Sequence, residues 1–112
     1  LHKIGYQKVI ERIRKRVGNS GQPVFVSYDI DFIDPAFAPG TGTPEVGGPN
    51  SFEALEYVRG LKDLNIKGFD LVEVLPSYDH GGITAALASA VAFEMATLVA
   101  LQKRKEMENT AR

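Results

Sequence analysis

Three aspartates close an apolar run in the segment Val24-Phe25-Val26-Ser27-Tyr28-Asp29-Ile30-Asp31-Phe32-Ile33-Asp34-Pro35. Side chains at i and i+2 of an extended chain lie on one side, so Asp29 and Asp31 can reach a common point. Two ionised carboxylates held that close repel each other unless a cation compensates. A divalent metal provides such compensation. The plainer reading of Asp29 and Asp31 alone is a pair of turn caps behind a buried strand.

The residues that follow favour the metal. Ala36 to Gly48 is a Gly/Pro/Thr loop without apolar periodicity and without charge except Glu45, a segment built for geometry and not for core. Ser27-Tyr28-Asp29-Ile30-Asp31-Phe32-Ile33-Asp34-Pro35, followed by Pro39-Gly40-Thr41-Gly42-Thr43-Pro44 and Gly47-Gly48, resembles the ureohydrolase family of arginases and agmatinases. The resemblance runs from about Gly5 to about Leu101. It implies hydrolysis of a guanidino group at a site of two Mn2+ ions, with Asp29 bridging both metals, Asp31 binding one, and Asp34 shaping the turn.

The family's other metal ligands lie in a Gly-Gly-Asp-His and an Asp-x-His-x-Asp motif, upstream of this segment and absent here. Asp79-His80-Gly81-Gly82 differs from the first in order and position. The resemblance therefore implies that residues 1–112 are the C-terminal portion of a single ureohydrolase domain. That domain is expected to be a three-layer α/β/α fold around a parallel sheet, of which only the C-terminal part is present. No catalytic acid or base is assigned within the chain.

Glu73 interrupts the apolar run Gly68-Phe69-Asp70-Leu71-Val72-Glu73-Val74-Leu75-Pro76, where an unpaired carboxylate would be costly. A salt bridge is one explanation. The resemblance gives another, in which Glu73 receives the substrate guanidinium in planar bidentate pairing. By the same resemblance Thr43 lies near the site and His80 lines its mouth, against simpler readings as turn packing and a hydrogen-bonded loop residue. His2 reads as a surface residue. A calcium-binding EF-hand fails on spacing, because counting from Asp29 puts Asp34 where glycine is needed and Gly40 where glutamate is needed. Phosphatases of the haloacid-dehalogenase type need threonine or valine where Ile33 stands, and nothing beyond Asp-x-Asp supports a nucleotide-sugar transferase.

These residues need elements to position them. Tyr6, Val9, Ile10, Ile13 and Val17 repeat at helical spacing, and Gly18-Asn19 stops that helix. Val24 to Tyr28 reads as a strand buried on both faces because its apolar residues do not alternate. Asn50 and Glu53 form a capping-box pair ahead of a helix with Leu55, Val58 and Leu61 on its core stripe, ending at Asn65. Gly68 to Leu75 reads as a second buried strand. Strand, helix and strand make a βαβ unit, which brings Asp29, Asp31 and Glu73 to one edge of the sheet, where open α/β sheets bind ligands. The last element is an alanine-rich helix from Thr84 to about Lys105, with Lys103-Arg104-Lys105 at its negative end and a frayed tail from Glu108 to Arg112.

Composition narrows the function classes. The chain has 112 residues, a net charge of −1 and no cysteine, which excludes disulfides, thiolate nucleophiles and zinc–sulfur sites. Charges of both signs are interspersed, so no nucleic-acid partner is expected, and Arg12, Arg14, Lys15 and Arg16 read as a solvated helix face. Glu94 interrupts the long apolar run Ile83 to Leu101, so no membrane span is expected. The chain opens Leu1-His2-Lys3 and goes straight into an amphipathic pattern, so no signal peptide is expected, and without a methionine Leu1 is not expected to be a natural start. The expectation is a cytoplasmic Mn2+-dependent hydrolase acting on a small guanidino substrate. Agmatine is preferred on Glu45 and Tyr78-Asp79-His80, with an arginase or guanidinobutyrase as the alternative, and the family implies a homo-oligomer, a trimer or hexamer. Two other classes remain: a folded but inactive fragment, and an unrelated Asp-x-Asp phosphotransfer domain.

Overall fold

A computed structural model of the chain describes residues 4–18 and 21–110. The elements are α1 (Gly5–Val17), β1 (Val24–Asp29), α2 (Ser51–Arg59), β2 (Ile66–Val72) and α3 (Ile83–Thr110), with short 3-10 turns at Ile30–Phe32 and Pro76–Tyr78. β1 and β2 pair in parallel, with Val26 opposite Phe69, Tyr28 opposite Leu71 and Asp29 opposite Val72. The β–α–β order and parallel pairing agree with the α/β expectation. Because both strands end at the same edge, Asp29 and the residue after Val72 emerge side by side.

The capping box at α2 forms as its sequence predicts: Asn50 Oδ1 accepts from Glu53 N–H at 2.8 Å and Glu53 Oε1 accepts from Asn50 N–H at 3.1 Å. α2 is shorter than expected, ending at Arg59 with Gly60 as its cap, and a turn rather than helix leads to Asn65. β2 begins earlier than expected, at Ile66. The stop at Gly18 stands, whereas Asn19, His2 and the end of the tail lie outside the described residues.

Three expectations are corrected. First, the strands are not buried on both faces: Tyr28 is buried, but Phe25 is 66% exposed. The burial pattern of β1 alternates, and among the described residues the two-stranded sheet leaves the outward face at Phe25 and Ser27 in solvent. Second, Arg14 does not belong to a solvated cluster. Its guanidinium donates to the carbonyls of Gly60 and Lys62, docking α1 onto the end of α2. Third, α3 continues to Thr110, so Lys103, Arg104 and Lys105 sit inside the helix and not at its negative end. Arg104 pairs with Glu108 one turn on, and such pairs prolong an exposed helix.

α3 is long and apolar enough to cross a membrane by length and composition. Its Thr84, Leu87, Ala88, Val91, Met95 and Leu98 are nevertheless buried in the core. Glu94 pairs with Arg59 at 2.9 Å, joining α3 to α2.

The core holds the end of β1 from beneath. Ile30 and Ile33 are fully buried, and the buried Tyr28 hydroxyl donates to the Ala54 carbonyl in α2 at 2.9 Å. Burial raises the Tyr28 pKa, with Tyr57 adding to the shift, so the phenol stays protonated and remains a donor. Removing that hydroxyl in Tyr28→Phe is expected to cost about 1 kcal/mol, measured by urea denaturation. An unchanged midpoint would show that the anchor contributes nothing.

Candidate metal-binding and substrate site

The two aspartates converge, though not as an extended chain would bring them together. β1 stops at Asp29 and Ile30–Phe32 turn in a 3-10 helix, so the i, i+2 argument does not apply. Asp29 caps that turn: its Oδ1 accepts the Asp31 N–H at 3.0 Å. Asp31 in turn is held from the loop, its Oδ2 accepting from Thr43 Oγ1 at 2.8 Å. Ile30 and Ile33 are fully buried in the core and fix the register of Asp31 between them and of Asp29 just before.

Asp34 is fully engaged by its own loop. Its Oδ1 accepts Ala36 N–H and its Oδ2 accepts Gly47 N–H, each at 2.9 Å, while its N–H donates to the Pro49 carbonyl at 3.0 Å. A Cβ on Gly48 would lie 2.2 Å from the Phe32 carbonyl oxygen, so only glycine lets the loop close against the turn. Thr41 is 1% exposed and its hydroxyl has no hydrogen-bond partner among the described residues. A small open hollow beside Asp31 is lined by Phe32, Glu45 and Val46.

Glu73 is not inside a strand. β2 ends at Val72, and Glu73 follows with φ of 73°, exposed, in a left-handed conformation unusual for a residue with a side chain. The strand stops there because this φ cannot continue a ladder. The position removes the burial cost anticipated from sequence and leaves the carboxylate at the sheet edge. Strain of this kind gathers at functional sites.

Electrostatics links the three carboxylates. Burial is the largest cause raising Asp29 above the ordinary carboxylate range. The neighbouring Asp31 and Glu73 charges push the same way, against the Asp31 N–H, which lowers it. Among the described residues no salt bridge reaches these carboxylates, so negative charge is concentrated there. The donor set is hard oxygen, suited to Mg2+, Ca2+ or Mn2+. Among the described residues, however, no three His, Cys, Asp or Glu side chains are grouped to hold a metal on their own. The residues fit part of a metal site.

His80 is exposed, and its hydrogen bond among the described residues is from its backbone N–H to Asp79 Oδ1 at 2.9 Å. No described contact brings its ring to Asp29, Asp31 or Glu73. Sequence reasoning named Asp79 and Thr84 but assigned neither a part in capping α3. Asp79 accepts the N–H groups of Thr84 at 2.9 Å and Ala85 at 3.1 Å, capping α3 across Gly81-Gly82. An aspartate shortly before a helix was the available signal.

The raised Asp29 pKa has a measurable consequence. The folded state binds the Asp29 proton more tightly than the unfolded state, so ionised Asp29 costs stability at neutral pH. That cost disappears as pH falls through the folded pKa. Asp29→Asn keeps an oxygen for the Asp31 N–H and removes the charge. In metal-free buffer it is expected to stabilise the chain at pH 7 by up to about 0.5 kcal/mol, with the gain vanishing in acid. Thermal unfolding across pH checks this, and destabilisation at pH 7 would contradict it.

The model of the arginase family matches residues 1–97. Agmatinase from Escherichia coli O7:K1 is 52% identical over 99 residues, which cover 88% of this chain and 32% of that protein. The structure of a hypothetical agmatinase from Burkholderia thailandensis superposes with a TM-score of 0.83 at 47% identity, covering 94% of this chain and 32% of that one. Proclavaminate amidino hydrolase from Streptomyces clavuligerus gives 0.84 at 48% identity over 90% of this chain and 34% of its own. The chain spans about a third of the length of these relatives. On the family match, the likeness to agmatinases and the shared fold, it belongs to the arginase family.

Proposed function

We propose that the chain is the C-terminal portion of a ureohydrolase domain, and that the complete domain hydrolyses the guanidino group of agmatine to urea and putrescine. The observation that carries the reading is that Asp29, Asp31 and Glu73 stand at or just beyond the carboxyl ends of two parallel strands, with no salt bridge to them among the described residues. The E. coli agmatinase supports agmatine as substrate, and an arginase- or guanidinobutyrase-type substrate is the alternative. The same reading places the enzyme in the cytoplasm, in polyamine biosynthesis, and in a homo-oligomer.

Two Mn2+ ions, when bound, supply neutralising charge and a water made nucleophilic at neutral pH. Asp29, whose proton affinity responds to both Asp31 and Glu73, would be shared between the ions, as the family resemblance implies. Asp31, oriented by Thr43, holds one. Glu73 binds the guanidinium in bidentate fashion and orients its carbon toward the aspartates. His80 lines the entrance. The remaining ligands and the group that protonates the departing amine come from outside residues 1–112, so this polypeptide by itself is inactive. The exposed Phe25 and the absence of a third ligand among the described residues favour that second statement.

A chimera in which this chain replaces the matching third of the E. coli agmatinase tests both. With Mn2+ it is expected to release urea from agmatine, while the 112-residue chain alone releases none. An inactive but folded chimera would sink the assignment, and activity of the chain alone would refute its incompleteness. Glu73→Gln in the chimera keeps the shape and removes the charge. It should lower kcat/KM by on the order of 2–5 kcal/mol with manganese retained, and wild-type kinetics would return Glu73 to a structural role.

A further inference from the structure

The loop carrying Thr43 and the segment carrying Glu73 are joined at one junction. The Gly40 N–H donates to Thr84 Oγ1 at 2.7 Å, and the Gly40 carbonyl accepts the Leu75 N–H at 2.7 Å. Thr84 is fully buried at the start of α3, and the Asp79 carboxylate grips the same turn through the N–H groups of Thr84 and Ala85. These amides lower the Asp79 pKa, the Thr84 N–H most, with the Thr84 hydroxyl contributing. The hydroxyl accepts from Gly40, while the Thr84 and Ala85 backbone N–H groups bind Asp79.

The junction has no slack. A Cβ on Gly40 would lie 2.9 Å from Asp79 Cβ and 3.0 Å from Thr84 Cβ, so the loop backbone at Gly40 packs directly against the Asp79 and Thr84 side chains. Gly40 stands three residues before Thr43, which holds Asp31, and Leu75 stands two residues after Glu73. The Asp79 carboxylate is committed to backbone amides, and Thr84 is sealed from solvent. Neither faces the cluster of Asp29, Asp31 and Glu73 directly.

Resting on the ureohydrolase reading, we propose that Thr84, buttressed by Asp79, is a positioning residue that sets the separation between the Asp31–Thr43 side of the site and the Glu73 side. Its hydroxyl is the single polar atom through which α3 holds Gly40. A methyl in its place leaves the Gly40 N–H buried without an acceptor, and the loop then moves independently of Leu75 and Glu73. Metal ligation by Asp29 and Asp31 depends on the 3-10 turn and persists, whereas the fit of a guanidinium between the two sides degrades.

Thr84→Val keeps the shape and loses the hydroxyl, and Thr84→Ser keeps the hydroxyl. Amide hydrogen exchange on the 112-residue chain is expected to speed up at least tenfold at Gly40 and Leu75 in the valine variant, with Val26 and Phe69 unchanged and the serine variant like wild type. In the chimera the valine variant should raise KM for agmatine several-fold with kcat and manganese content changed little, and the serine variant should restore it. Wild-type exchange at Gly40 and Leu75 in the valine variant, failure of serine to rescue, or loosened exchange with unchanged KM would each overturn the proposal. A wild-type chimera that folds but releases no urea would overturn the ureohydrolase reading instead, while exchange still decides whether the hydroxyl ties the two segments.

Discussion

A partly buried carboxylate, Asp29, is the constraint on which the rest of this fold depends. Burial, with the Asp31 and Glu73 charges adding, disfavours its ionised form in the metal-free chain, and the surrounding structure has to hold it there regardless. From below, Tyr28 is pinned to α2 and Ile30 and Ile33 are locked in the core. From the side, Asp34 fastens the loop through both of its oxygens, and the loop returns Thr43 to Asp31. A left-handed residue at the end of β2 completes the arrangement with Glu73. Stability is spent locally so that a cation finds its ligands preorganised.

Much of this was legible in the residues. Asn50 and Glu53 announced their helix because capping is a local interaction between side chains and the nearest amides. The parallel pairing followed from one strand, one helix and another strand in order. What failed depended on information that is not local. The apolar run in β1 read as doubly buried, which would need a partner layer that this chain does not provide. Glu73 read as a strand residue because sequence shows neighbours and not φ. The 3-10 turn after Asp29 was hidden because Ile30-Asp31-Phe32, an aspartate between two apolar residues, is a pattern that an extended chain also carries. The tie from Thr84 to Gly40 spans 44 positions and left no periodic signal at all.

The uncovered sheet face and the incomplete ligand set point the same way. Phe25 in solvent leaves apolar surface that a complete domain would bury, and the relatives are about three times as long as this match. Packing and chemistry are therefore unfinished together. On the proposed reading, the rest of the domain would both cover the sheet and bring the remaining ligands to the edge where Asp29 and Asp31 stand. Such coupling is expected of parallel α/β sheets, whose ligand sites form at strand ends supplied by several βα units.

The central claim is that Asp29 and Asp31 are the share of a binuclear metal centre carried by this chain, with Asp34 serving the turn. Manganese stoichiometry measures it most directly. In the chimera with the E. coli agmatinase, two Mn2+ per chain are expected for wild type and for Asp34→Asn, provided the latter remains folded. Asp29→Asn is expected to lose the pair and Asp31→Asn at least one ion. Two tightly bound ions in a folded Asp29→Asn chimera would contradict the account.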